Sequence, residues 1–140
     1  FDPYVKDEKY HQCSTLEELF ESNDIISIHV RLTSETLELI GEPELRAIKA
    51  PVILINTSRG EILNENAVLN GLQSGSIRSL GTDVLSGEHE SAFPVKSPLF
   101  QYYMDNNNVV ITPHIGGACT DAWMVSEEIV IDKIINLLEA

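Results

Sequence analysis

Short β-branched runs alternate with helix-forming segments along the whole 140-residue chain. No other feature restricts the fold as strongly, because strands joined by helical crossovers pair in parallel. The predicted strands are Asp24-Ile25-Ile26-Ser27-Ile28-His29-Val30, Val52-Ile53-Leu54-Ile55-Asn56, Ile77 to Val84, and Val109-Val110-Ile111-Thr112. A first helix runs from Leu16 to about Ser22, opened by a capping box of Ser14 and Glu17. Thr33 to Ala50 reads as helical turns broken near Gly41 and Pro43. Asn64 caps a helix through Gln73 that Gly75 ends. Leu85 to Asn108 reads as a long functional loop with one helical turn at Pro98–Met104. Thr120 caps a last helix to about Leu138, with Trp123, Val130, Ile134, Leu137 and Leu138 on its apolar side. The strands are apolar enough for burial on both faces, so the expected fold class is α/β, a doubly wound parallel sheet of Rossmann-like type.

Composition removes several classes of function. With 22 acidic and 9 basic residues the formal charge is −13, and no run of Lys or Arg exists to neutralise phosphates. A nucleic-acid partner is therefore not expected, nor attraction to an anionic membrane. A hydrophobic content of 43% argues against disorder. The longest apolar runs are too short to span a bilayer, and Phe1-Asp2-Pro3-Tyr4 has neither the basic start nor the apolar core of a signal peptide. Cys13 and Cys119 lie far apart without C-x-x-C spacing. That pattern fits a reduced, cytoplasmic protein, with neither a disulfide framework nor a metal site expected.

Ligands of parallel α/β sheets bind beyond the C-terminal ends of the strands. The residues after each strand are therefore the candidates for chemistry. Arg59 and Gly60 follow the second strand, Glu88 and His89 follow the third, and Pro113-His114-Ile115-Gly116-Gly117 follows the fourth. Singly, each has a plain structural reading. Arg59 reads as a surface residue in a turn where Gly60 supplies a positive φ, Glu88 as one acid among 22, and His114 as a packed histidine. Together they converge on one sheet edge. An Arg there orients an anion, a His exchanges a proton near neutral pH, and a Glu holds the imidazole and favours its protonated form.

These segments also carry a family resemblance. Ile55-Asn56-Thr57-Ser58-Arg59-Gly60-Glu61-Ile62-Leu63-Asn64-Glu65-Asn66-Ala67-Val68 is similar to the arginine signature of the D-2-hydroxyacid dehydrogenases. Thr82-Asp83-Val84-Leu85-Ser86-Gly87-Glu88 resembles their Asp-Val-x-x-x-Glu segment, and Thr112-Pro113-His114-Ile115-Gly116-Gly117 their histidine signature. Ser22 to Val30 with Leu32-Thr33 matches the strand that precedes all three, so the motifs stand in family order along the whole chain.

The resemblance implies an NAD-dependent oxidoreductase that interconverts a small D-2-hydroxy acid and its 2-oxo acid. Arg59 would bind the substrate carboxylate and carbonyl, His114 would protonate the carbonyl oxygen, and Glu88 would hold His114. Asp2 stands where the family has the acid that binds the adenosine ribose, and a carboxylate there repels a 2′-phosphate. Thr57, Asp83 and the Gly116 backbone would lie along the nicotinamide half, and His29 to Thr33 along the adenosine side. The family commonly pairs through its cofactor domains, which makes a homodimer the expected assembly, with Phe93 to Met104 as one candidate surface.

Two residues depart from the family pattern: Arg31 and His89 each replace a usual Pro. His114 is preferred over His89 as the acid–base residue because of its Pro and Gly-Gly setting, and His11 and His29 are read as structural. No G-x-G-x-x-G occurs in the chain. Residues 1–140 are thus expected to be a partial NAD-binding domain, incomplete at its N-terminus, lacking the first strand, the Gly-rich loop and the substrate domain. Such a piece is expected to be inactive by itself. A second reading keeps the same residues but uses NAD as a conformational sensor, as in dehydrogenase-like corepressors.

Overall fold

The computed structural model describes residues 1–91, 94 and 96–138. It contains α1 (Leu16–Ser22), β1 (Ile25–Ile28), α2 (Glu42–Arg46), β2 (Val52–Asn56), a 3₁₀ turn (Gly60–Ile62), α3 (Glu65–Ser74), β3 (Ile77–Thr82), α4 (Pro98–Asp105), β4 (Val109–Ile111) and α5 (Thr120–Leu138). The four strands form one parallel sheet in the order β1-β2-β3-β4. This is the α/β, Rossmann-like architecture that the alternating pattern implies.

Cover on the sheet is one-sided among the described residues. Ile26, Ile28, Val52, Leu54, Leu80 and Val109 are buried against Phe20, Val68, Leu72 and Leu99 from the helices. Each such fully buried aliphatic contributes roughly 1.5–3 kcal/mol. On the other face Ile25 is 61% and Val110 62% exposed. Strands added in one direction by crossovers of one hand carry their helices on one side. The reversal of strand order that makes a sheet doubly wound does not fall among the described residues.

Local chemistry shifts several boundaries. The cap of α1 is Thr15, whose side chain accepts the Glu18 N–H, while Glu18 reaches back to the Ser14 N–H at 2.6 Å. The expected Ser14–Glu17 box is thus displaced by one residue. Pro43 does not break a helix but sits in the first turn of α2, where a missing N–H costs nothing. Asn64 and Gly75 cap α3 as expected, Gly75 with a φ of 82°. The turn expected at Pro98–Met104 is a helix of eight residues capped by Ser97. Thr120 is the first helical residue of α5, not its cap, and the Trp123 N–H donates to the Cys119 carbonyl. The apolar side of α5 is not buried by any described residue, and Trp123 is 63% exposed.

Candidate active site

Because all four strands are parallel, their C-terminal ends share one edge. His29 and Thr33 follow β1, Thr57 and Arg59 follow β2, Asp83 and Glu88 follow β3, and His114 and Gly116 follow β4. Strands two apart in a sheet are roughly 10 Å apart. The loops of Arg59 and His114 therefore start roughly that far apart, with the end of β3 between them.

The histidine loop is held by charge. The Thr112 N–H donates to the Thr82 carbonyl, and across Pro113 the His114 N–H donates to the Thr112 carbonyl at 3.0 Å. This tight turn gives His114 a φ of 53°. Left-handed backbone costs a non-glycine residue about 1–3 kcal/mol and persists only where its surroundings enforce it. Asp83 supplies the enforcement. Its Oδ1 accepts the Thr112 hydroxyl in a short bond and the Ile115 N–H at 3.0 Å, and its Oδ2 accepts the Gly116 N–H at 2.7 Å. Burial alone would push the Asp83 carboxyl up. The bonds from Thr112, Gly116 and Ile115, with the charge of His114, outweigh it and hold the carboxyl below its ordinary value. A Cβ at Gly116 would come within 2.9 Å of Asp83 Oδ2, so glycine permits the approach.

The resulting turn presents the imidazole to Glu88, whose Oε1 lies 2.6 Å from His114 Nδ1. With Nδ1–H donating to the carboxylate, Nε2 is the ring atom left for a ligand. Glu88 is carried by a loop that turns at Gly87, with a φ of 70°. Glu65 anchors that loop, accepting the Ser86 N–H and the Ser97 hydroxyl, each at 2.8 Å. His89 Nε2 stands 3.8 Å from the same Glu88 oxygen, and its side chain is 89% exposed. The short, oriented contact belongs to His114. A cavity of about 450 Å³ opens here, lined by His114, Glu88, His89, Phe100, Tyr103 and Thr112 among others. Its size suits a small-molecule site.

The arginine loop is held by neutral groups. Asn56, fully buried at the end of β2, accepts the Ser58 N–H at 3.0 Å and the Ser58 hydroxyl at 2.8 Å, and donates to the Arg59 carbonyl at 2.9 Å. Gly60 has no positive φ, contrary to the turn reading. Its requirement is space, since a Cβ would sit 2.0 Å from the Leu85 backbone. Arg59 itself is exposed, with Nη1 donating to the Ser58 carbonyl at 2.6 Å. The rest of the guanidinium fork has no other bond among the described residues and can take a carboxylate.

Among the remaining candidates, Thr57 lies within the arginine loop and Thr33 and His29 follow β1. Thr57 and Thr33 are exposed, the latter with its N–H on Thr36 Oγ1 at 2.8 Å. His29 Nε2 pairs with Ser27 Oγ at 2.8 Å rather than capping its strand. Exposed Asp2 accepts the Tyr4 and Val5 N–H groups, which lower its carboxyl and keep it anionic. An exposed carboxylate, two exposed threonine hydroxyls and the His114 cavity along one chain are groups that suit a polyhydroxylic dinucleotide. Asn56 and Glu65 support the site without standing out in the sequence as functional residues. The signal for Asn56 is a polar residue closing an otherwise apolar strand.

The His114–Glu88 pair thus stands on the C-terminal edge of a parallel sheet, on the same edge as Arg59. Residues 1–116 match the family model described as D-isomer specific 2-hydroxyacid dehydrogenase, NAD binding domain. A glyoxylate reductase of Thermococcus litoralis is 38% identical over 136 residues, covering 95% of this chain and 38% of that protein. A D-3-phosphoglycerate dehydrogenase of Bacillus subtilis is 34% identical, covering 92% and 25% respectively. Among solved structures, a D-lactate dehydrogenase from Aquifex aeolicus complexed with NAD and lactic acid superposes with a TM-score of 0.78 at 28% identity, over 97% of this chain and 44% of that one. The chain belongs to the D-isomer specific 2-hydroxyacid dehydrogenase family and corresponds to its NAD-binding domain. It spans 38% of the length of the glyoxylate reductase it matches.

Proposed function

We propose that this chain is the cofactor-binding part of an NAD-dependent enzyme that reduces a small 2-oxo acid to its D-2-hydroxy acid, and catalyses the reverse. The observation that carries the reading is the 2.6 Å contact between His114 Nδ1 and Glu88, which leaves Nε2 as the ring atom available to a ligand. The chemistry a bound nicotinamide supplies is hydride transfer at C2 of the acid. His114 Nε2 gives its proton to the carbonyl oxygen as that carbon is reduced, and takes it back in the reverse direction. Glu88 keeps the ring in the tautomer and orientation this requires. Arg59 receives the substrate carboxylate and polarises the carbonyl through its fork of donors.

Cofactor contacts are assigned to Asp2 and to the strand-end residues His29, Thr33, Thr57, Asp83 and Gly116. The anionic Asp2 favours NAD over a 2′-phosphorylated cofactor. For Gly116 the contact runs through the backbone of the turn, which the Asp83 carboxylate holds. The reading extends to a cytoplasmic homodimer paired through the cofactor domain. The pairing draws on the exposed Tyr103 and Met104 of α4. Phe100 and Tyr102 pack on the core instead, and Phe93 lies outside the described residues. Among the described residues no helix is long and apolar enough to cross a membrane. The corepressor-like reading keeps the same three residues and has no observation of its own.

A panel of 2-oxo acids (glyoxylate, hydroxypyruvate, pyruvate and 3-phosphohydroxypyruvate) with NADH tests the proposal on the full-length protein. Oxidation of NADH by at least one, with NADPH much poorer, is expected. No turnover with any 2-oxo acid would contradict it.

A further inference from the structure

Away from the strand ends, three metal-donor side chains meet near the start of the chain. His11, Cys13 and Glu18 each offer one donor atom, and the three atoms lie within 4.8 Å of one another. The local chain explains the convergence. His11 and Cys13 are two residues apart in a stretch without helix, and the intervening Gln12 is engaged elsewhere, donating to the Val5 carbonyl at 2.7 Å. Glu18 sits in the first turn of α1, and its Oε2 accepts the Ser14 N–H at 2.6 Å. That bond aims the carboxylate at the segment carrying the other two, as outer hydrogen bonds orient metal ligands elsewhere. Cys13 is buried and free, His11 is exposed, and neither side chain has a hydrogen-bond partner among the described residues.

We propose that His11, Cys13 and Glu18 form a zinc site, with water in the fourth position. A thiolate, an imidazole and one carboxylate suit Zn²⁺, whereas Mg²⁺ and Ca²⁺ take oxygen ligands. Ligand atoms around tetrahedral zinc stand roughly 3.5 Å apart. The exposed His11 ring closes the remaining distance by rotating. Binding converts the Cys13 thiol to a thiolate and releases its proton to solvent. The two negative ligands then balance the ion's charge, so the site is neutral at the burial Cys13 provides. The ion ties the segment that follows Asp2 to α1 and takes no part in the chemistry of the strand ends.

The full-length protein, stripped by chelator, is titrated with Zn²⁺ against a chromophoric competitor and with Co²⁺ as a spectroscopic probe. One Zn²⁺ per chain with micromolar or tighter affinity is expected, and Co²⁺ should give a thiolate charge-transfer band with the visible absorption of a tetrahedral site. Cys13→Ser should abolish the band, and His11→Ala, which removes a direct ligand, should weaken Zn²⁺ by more than the roughly 10- to 100-fold that loss of an outer-shell partner costs. Exposed Cys119→Ser should change neither reading. His11→Ala alters an exposed residue and keeps the test valid if Cys13→Ser misfolds. Absence of stoichiometric uptake, or wild-type affinity in His11→Ala, would overturn the proposal.

Discussion

The two loops that carry the candidate chemistry are held in opposite ways. The arginine loop rests on the neutral amide of Asn56 and on the bare Cα of Gly60 against the Leu85 backbone. The histidine loop is bent into left-handed backbone at His114 and kept there by one buried carboxylate, Asp83. The difference reflects the side chain each loop presents. On the proposed function Arg59 would reach its ligand on a long side chain, so its backbone needs only a fixed starting point. The short imidazole must be aimed by the backbone itself, which requires a strained turn and a strong clamp.

Substitutions in the full-length enzyme separate clamp from chemistry. His114→Asn should lower turnover by roughly 10²–10⁴-fold, the contribution of a positioned proton donor. Asn tolerates left-handed backbone, so the melting temperature should hold. A large fall in stability would show that the ring, rather than Asp83, maintains the turn. Arg59→Ala should cost roughly 10²-fold in kcat/KM. Its own loop should stay folded, because among the described residues the guanidinium bonds only the Ser58 carbonyl. Unaltered substrate kinetics would remove Arg59 from the site.

Asp83→Ala leaves three donors of the histidine turn unmatched and should destabilise the fold by about 1–3 kcal/mol, with turnover falling too. Gly60→Ala should cost about 1–3 kcal/mol from overpacking, because the Leu85 backbone it meets has to shift, and with it the loop that carries Glu88. Denaturant titration gives both values. The smallest effect separates the clamps by pH. Asp83 has a folded pKa below its ordinary one, so its contribution is complete above the ordinary carboxylate value and is lost as pH falls through the folded value. Asp83→Asn should remove that part of the acid sensitivity, and Asn56→Ala should leave it intact. Equal acid profiles in the two variants would erase the distinction between a charged and a neutral clamp.

Much of this edge is legible in the sequence, because it depends on strand order and on the residues just past each strand. The run Val52 to Asn56 is predicted with the same ends that the strand has, since a polar residue closes an otherwise apolar stretch. Arg59, Glu88 and His114 stand out because parallel pairing forces strand ends together. The charged clamp is not legible, since it joins residues some thirty positions apart. Nothing local in Asp83 announces Thr112, Ile115 and Gly116 as its partners. Gly60 reads as a turn glycine because its neighbour, the Leu85 backbone, comes from the next strand's loop. The apolar side of α5 is visible as a pattern, but periodicity carries no information on which surface covers it.

On the proposed mechanism, Glu88 acts through His114 and on nothing else in the reaction. A double-mutant cycle of Glu88→Gln and His114→Asn, read as kcat with the best 2-oxo acid, tests it most directly. Alone, Glu88→Gln should lower kcat by roughly 10- to 100-fold, part of the general-acid contribution it supports. In the His114→Asn background it should have almost no further effect. Full additivity of the two losses would mean that the 2.6 Å contact is structural and that the proton comes from elsewhere.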